Sequence, residues 1–532
     1  IYPPAYHGAR LRAATMAAAH RLVLLVLALL AVATIAAAAS GARRAAVVGK
    51  SAVVSLLELD GRGAARETRS GSCYADAKRA EMLGESRKSG AARTATVLEL
   101  KHHSLTTIPD DPAARDQYLR RLLAADEARA NSLQIKNNRG AAASTQSGSS
   151  AEVPLTSGIR FQTLNYVTTI GLGGGSSGSA ATNLTVIVDT GSDLTWVQCK
   201  PCSSCYAQRD PLFDPAGSAT YAAVRCNASA CAASLKAATG TPGSCATTGG
   251  GGSEKCYYAL AYGDGSSSRG VLATDTLALG GAARIDGFVF GCGLSNRGLF
   301  GGTAGLMGLG RTELSLVSQT ASRYGGVFSY CLPASTSGDA SGSLSLGGGG
   351  GASPSYRNTT LVAYTRMIAD PAQPPFYFLN VTGAAVGGNP VAAAGLGAGN
   401  VLIDSGTVIT RLAPSVYRAV RAEFTRQFGA AGYPATAGFS ILDTCYDLTG
   451  HEEVKVPLLT LRMEGGAEVT VDAAGMLFVV RKDGSQVCLA MASLSYEDQT
   501  PIIGNYQQKN KRVVYDTAGS RIGFADEDCS FV

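Results

Sequence analysis

Two short segments of this chain repeat one pattern 215 residues apart: Val186 to Ser192 (VIVDTGS) and Val401 to Thr407 (VLIDSGT). Each is an aliphatic, largely β-branched run of the kind that forms a buried strand, ending in Asp, a small hydroxyl residue, Gly and a second hydroxyl residue. The apolar run carries one carboxylate to the edge of a core, and the Gly lets the chain turn back sharply beneath it. One such segment is an ordinary strand and turn. Two of them, one in each half, predict a duplicated fold whose halves each present one Asp, Asp189 and Asp404, to a shared site.

The 532 residues exceed one typical domain, and 65 Gly with only 16% charged residues point to a mainly β, loop-rich protein. Strands are expected at 165–171, 181–188, 256–262, 270–279, 287–291 and 327–332, with a glycine-rich hairpin at 173–178. A polyglycine stretch at 347–351 divides the halves, and a strand at 376–381 opens the second. Residues 414–428 form the clearest helix after residue 150, with Pro414 near its start and Val416, Val420, Phe424 and Phe428 at helical spacing.

The formal charge of +6 conceals a division. Up to Ser150 there are 21 basic and 12 acidic residues; after it, 25 and 28. No basic domain for nucleic acid follows residue 150. Met16 opens a stretch with the layout of a signal peptide, 16–40, and residues 1–15 read as an upstream extension. The apolar run reaches 18 residues, near the membrane-spanning threshold, so a signal anchor is the competing reading. A strand is expected at 96–100 and a helix over 116–136, with Leu119, Leu122, Leu123, Ala130 and Leu133 on one face. The small, polar stretch 139–150 is a linker or cleavage zone. A basic, partly helical leader before an acidic region predicts a propeptide over 41–152, the competing reading being a merely disordered leader.

Twelve of the 13 cysteines are Cys199, Cys202, Cys205, Cys226, Cys231, Cys245, Cys256, Cys292, Cys331, Cys445, Cys488 and Cys529; Cys73 stands alone in the leader. A dense, even set predicts disulfides and an oxidising compartment. Cys199, Cys202 and Cys205 have spacing that zinc could use, but the region lacks histidine, and no metal or other cofactor is expected. Sequons at Asn183, Asn227, Asn358 and Asn380 are glycosylation candidates for a secretory route. Only His451 lies beyond residue 150, in a charged turn, which leaves almost no basis for Ser–His or Cys–His hydrolysis.

Two carboxylates at hydrogen-bond distance cannot both ionise comfortably, so they share a proton, one serving as base and the other as acid. Such a pair can activate water against an amide while protonating the carbonyl oxygen. Ser192 and Thr407 can bond the outer carboxylate oxygens, and Thr190 and Ser405 can bond across to the opposite loop. Gly191 and Gly406 complete the two turns.

With these residues the chain resembles the pepsin-like aspartic proteases, and within them the plant nepenthesin-type and atypical enzymes, over roughly 153–532. Trp196 follows Asp189 in DLTWVQC (193–199), and YGDGS (262–266) resembles the flap hairpin. AGLMGLG (304–310) and IIGN (502–505) resemble the apolar segments that thread beneath each Asp loop. FGCG (290–293), FSYCL (328–332) and the cysteine-rich stretch 199–256 are also in the plant style. The resemblance implies a bilobal, mainly β fold with two barrel-like lobes, 153–355 and 356–532, and a cleft between them. It implies that Tyr262, Gly263 and Asp264 cover substrate, that Trp196 supports Tyr262, and that Cys445 pairs with Cys488 and Cys331 with Cys529.

The expected activity is an acidic aspartic endopeptidase acting on polypeptides, made as a zymogen whose propeptide blocks the cleft with basic groups facing carboxylates. It is expected to be monomeric, without nucleic acid or a membrane span after signal cleavage, in the apoplast or vacuole. The alternatives are a catalytically dead binding or inhibitor protein, and a DNA-associated protease of the chloroplast.

Overall fold

The computed structural model describes residues 51–55, 109, 111–134, 151–157, 163–174, 181–246, 254–262, 265–280, 283–334, 341–347 and 361–529. The expected signal segment, the strand at 96–100, Cys73, Gly263, Asp264 and Asn358 lie outside the described residues.

Thr182–Asp189 is buried continuously from Leu184 to Asp189, which explains an unbroken apolar run rather than alternation. It pairs antiparallel with Tyr166–Leu172 and parallel with Gly305–Gly308. Gly305–Gly308 also pairs antiparallel with Trp196–Gln198, and so lies between the strand that brings Asp189 in and the strand that leads away. The second half repeats this arrangement. Ile502–Ile503 pairs parallel with Val401–Ile403 and antiparallel with Thr410–Leu412. The sequence repeat is therefore a repeat of topology.

The halves share a sheet. Lys511–Asp516 pairs with Val327–Cys331 and with Arg521–Asp526, so the last strands of the chain join the 15-stranded sheet of the first half. Ala151–Ser157 is an inner strand of the same sheet, paired with Ser341–Leu346 on one side and Tyr166–Leu172 on the other.

Some boundaries differ from expectation. The strand expected at 287–291 extends over Ala283–Arg297, because two bulges let its pairing with Ser267–Leu279 continue where the side-chain alternation breaks. The run at 376–381 divides into Phe378–Leu379 and Val381–Val386, which join different sheets. Ser51–Ser55, which local pattern did not single out, pairs antiparallel with Glu453–Pro457. Pro414–Ala430 is a helix that buries Val416, Tyr417, Val420, Phe424 and Phe428.

Among the described residues six disulfides are formed. Cys202–Cys205, Cys226–Cys245 and Cys231–Cys256 close within the cysteine-rich stretch, whereas Cys199 leaves it to reach Cys292. Cys331–Cys529 and Cys445–Cys488 are the other two. The sulfurs of Cys226, Cys231 and Cys245 lie within 4.8 Å of one another, but each is committed to a disulfide.

The leader helix is Pro112–Leu133, starting four residues before the expected 116. Its start is set by Asp111, whose Oδ2 accepts from the Ala114 N–H at 2.7 Å, with Pro112 in the first turn where a missing N–H costs nothing. Its buried stripe is Arg115, Leu119, Leu123, Asp126, Ala130 and Leu133. Leu119 and Leu123 pack with Val408, Ile409 and Phe439, while Ala130 and Leu133 pack with Phe376, Leu402 and Ile502. Charged residues on a helix's buried stripe require buried partners. No helix among the described residues is long and apolar enough to cross a membrane.

Candidate active site

The two Asp-bearing turns meet face to face, and Asp189 and Asp404 are both fully buried. Their supports match atom for atom. The Gly191 N–H donates to Asp189 Oδ1 and the Gly406 N–H to Asp404 Oδ1, each at 2.9 Å. Ser192 Oγ donates to Asp189 Oδ2 and Thr407 Oγ1 to Asp404 Oδ2, each at 2.6 Å. Across the divide, the Thr190 N–H donates to Ser405 Oγ at 3.0 Å and the Ser405 N–H to Thr190 Oγ1 at 2.9 Å. These crossed bonds fix the separation of the carboxylates. Gly is required in both turns by close approach: a Cβ on Gly406 would fall 2.2 Å from Asp189 Oδ1, and one on Gly191 2.8 Å from Asp404 Oδ1.

Into this pair the leader helix inserts Arg129, whose side chain is only 12% exposed. Nη1 and Nη2 donate to the two oxygens of Asp189 at 3.2 and 2.7 Å, and Nη2 also reaches Asp404 Oδ2 at 3.1 Å. Burial alone would raise both carboxyls. For Asp189 it is outweighed by the Arg129 charge, helped by bonds from Arg129, Ser192 and the Gly191 N–H, which hold this carboxyl below its usual value. For Asp404 burial and the neighbouring Asp189 charge prevail, and its pKa is raised. Arg129 is itself held firmly protonated: burial opposes the charge, but the two carboxylates more than offset it.

The strands Lys255–Ala261 and Ser267–Leu279 pair antiparallel, and Tyr262, just after the first, lies near enough to Asp189 and Arg129 to feel their charges. Trp196 Nε1 donates to Tyr262 Oη at 2.8 Å, and burial raises the tyrosine pKa well above its usual value. Phe300 sets its ring edge-on to both, with centroids 4.9 Å from Trp196 and 5.6 Å from Tyr262. Beside the dyad a small cavity of about 60 Å³ lies between the helix and Thr163, Leu164, Asn165, Ile187, Tyr262, Leu299, Phe300, Leu306, Gly406 and Val408. His451 stands exposed against Tyr433.

Known proteins resemble this chain over most of its length. Residues 166–348 match the family described as xylanase inhibitor N-terminal, and 376–526 the one described as xylanase inhibitor C-terminal. An aspartyl protease family protein of Arabidopsis thaliana is 42% identical over 413 residues, covering 77% of this chain and 82% of its own. The chain belongs to the aspartyl protease family. Aspartic proteinase nepenthesin-1 of Nepenthes gracilis is 33% identical over 365 residues, covering 66% of this chain and 77% of that one. The fold is pepsin-like and bilobal. Basic 7S globulin from soybean superposes with a TM-score of 0.56 at 20% identity, covering 72% of this chain and 98% of that chain, a likeness of fold alone.

In this aspartyl protease relative, several residues at the site lie outside any short sequence motif. Arg129, Asp126, Phe300 and Arg411 carry no local motif, and Asn505, whose Nδ2 donates to the Ser405 carbonyl at 2.9 Å, is marked only by its place in IIGN. The one available signal was charge on an otherwise apolar helical face. Of the sequons, Asn183 and Asn227 are exposed, whereas Asn380 is half-buried with its amide donating to Glu464 at 3.2 Å.

Proposed function

We propose that the chain is an aspartic endopeptidase made as a latent zymogen, and that it hydrolyses peptide bonds at acidic pH with a water held between Asp189 and Asp404. The observation that carries this reading is the position of Arg129 Nη2, within 3.1 Å of an oxygen of each carboxylate. A water taking that point after the guanidinium leaves would reach both. The ionised carboxylate takes a proton from the water as its oxygen attacks the carbonyl carbon. The protonated partner gives its proton to the carbonyl oxygen, and the tetrahedral intermediate collapses with protonation of the leaving nitrogen. Base and acid are roles of the pair rather than fixed assignments. Tyr262 closes over the substrate, Trp196 and Phe300 hold Tyr262, and the cavity beside them suits an apolar side chain.

Latency follows from the same contacts. Asp189, its pKa depressed below 3.8, favours the docked helix fully above that value and ceases to do so as pH falls through the depressed one. Asp404, its pKa raised above 3.8, is most comfortable protonated, so its charge at neutral pH costs stability and it takes the first proton on acidification. Protonation of Asp404 relieves that cost, so the loosening of the Arg129 contact by acid rests on Asp189 taking its proton. Cleavage before Ala151 would free the helix and leave the inner strand Ala151–Ser157 in its sheet. Six disulfides favour synthesis in the secretory pathway.

A second reading, a pepsin-like protein that binds without cutting, is favoured by the match of both halves to segments described as xylanase inhibitor. Retention of both Asp residues and all four supporting hydroxyls weighs for the protease. The test is cleavage of a quenched peptide library at about pH 4, near ordinary carboxylate values, by wild type, Asp189→Asn and Asp404→Asn. Loss of cleavage in both variants supports the protease. A folded wild type that has shed its helix and cuts nothing supports the binding protein.

A further inference from the structure

One helical turn before Arg129, Asp126 is buried in a receptor of its own. Its Oδ1 accepts from the Val408 N–H at 2.6 Å, and its Oδ2 from the Ile409 N–H at 3.1 Å and from Arg411 Nη2 at 3.0 Å. Glu127 Oε2 accepts from Arg411 Nε at 3.0 Å. The receptor belongs wholly to the second half of the chain, on the turn that follows Asp404. Arg411 is 1% exposed, and its Nη1 donates to the Ile409 carbonyl at 2.8 Å, so its own strand holds the guanidinium in place.

From this geometry we infer that Arg411 and the Val408 and Ile409 N–H groups form a carboxylate-binding subsite, which selects an acidic side chain of the substrate once the leader helix has left. The inference rests on the protease reading above. Departure of the helix removes Asp126 and Glu127 together, leaving a cation and two backbone donors converging on one point. Convergent donors of this kind are costly to leave unmatched and well suited to a carboxylate, which can accept from all three. A lysine or an amide offers no equivalent set of acceptors, so the site discriminates by chemistry rather than size.

Its place along the substrate follows from the helix. Asp126 and Arg129 are three residues apart on one face, which puts their Cβ atoms roughly 5–6 Å apart. Arg129 marks the dyad. An extended peptide rises about 3.3 Å per residue, so the selected residue lies about two positions from the scissile bond. The leader thus presents, side by side, a cation for the dyad and a carboxylate for the neighbouring subsite.

The test uses the full chain after acid processing, with peptide pairs carrying Asp or Asn at one position at a time, assayed near pH 5.5 so that the aspartate, with an ordinary pKa of about 3.9, is charged. Wild type is expected to cut the Asp peptide with a kcat/KM about tenfold or more above its Asn partner at one position about two residues from the bond, the scale of one buried charged pair. Arg411→Gln should bring the ratio close to one, with Arg411→Lys in between. A high concentration of acetate should erode the wild-type ratio, by competing for the same donors, without slowing neutral peptides. Should Arg411→Gln not fold, the wild-type ratio and its response to acetate decide the matter. Equal cutting of Asp and Asn peptides at every position, or a preference that survives in Arg411→Gln, overturns the subsite while leaving the protease intact. No cutting of any peptide rejects both.

Discussion

Replacing Arg129 with Gln separates the block on the dyad from the docking of the helix. The guanidinium makes three hydrogen bonds to two fully buried carboxylates. Removing one partner of a buried charged pair costs about 3–5 kcal/mol, because the remaining charge is left uncompensated. Here the cost is expected at the lower end, since Asp404, with its raised pKa, can take up a proton instead. Leu119, Leu123 and Leu133 stay buried and contribute roughly 1.5–3 kcal/mol each, which keeps the helix structured and its docking specific. About 3 kcal/mol at 1.4 kcal/mol per tenfold corresponds to an open form enriched about 100-fold. The assay is the initial rate of peptide cleavage by unprocessed full-length chain near pH 5.5, above ordinary carboxylate values, with intact mass checked to confirm that the leader is attached. Arg120→Gln is the control: Arg120 lies on the same helix, 4.3 Å from the Phe439 ring centroid, a contact worth about 0.5–1 kcal/mol. An Arg129→Gln chain as latent as wild type, or an Arg120→Gln chain equally activated, would refute the specific block and leave only a general charge effect.

Tyr262→Phe leaves the Trp196 indole N–H without its partner, at a cost of about 1–3 kcal/mol, and should lower kcat/KM about tenfold with little change in thermal stability. Gly406→Ala forces a methyl group to within 2.2 Å of Asp189 Oδ1 and is expected to abolish cleavage and weaken helix docking, the latter read by loss of limited-proteolysis protection at the leader. The paired substitution Cys331→Ser with Cys529→Ser opens a link spanning 198 residues and should cost about 2–5 kcal/mol, seen as a lower denaturant midpoint.

Much of the site was legible because the chain states it twice. VIVDTGS and VLIDSGT carry strand, carboxylate, turn and hydroxyl within seven residues each, and local backbone geometry is enough to place a hydroxyl against its own Asp. Tyr262 beside Trp196 and the apolar strands threaded next to each Asp strand are legible for the same reason, each being a short motif in a fixed order. Periodicity shows only part of the strand Ala283–Arg297, because bulges break the alternation on which it depends. Ser51–Ser55 carries no local signal, because its stability comes from pairing with Glu453–Pro457, some 400 residues away.

The sequence by itself determined that two carboxylates would be delivered by two like turns, that the leader was basic and partly helical, and that the cysteines were numerous enough to pair. Only the tertiary structure decided which basic group meets the dyad. On the helix, Arg115, Arg120, Arg121 and Arg129 are chemically alike, and spacing along the chain does not rank them. Packing of Leu119, Leu123 and Leu133 against the second half fixes the rotation of the helix, and that rotation sends Arg129 to Asp189 and Asp404 and Asp126 to Arg411. Electrostatic pairing depends on distance in space, and for residues 60 to 285 positions apart that distance is a property of the fold.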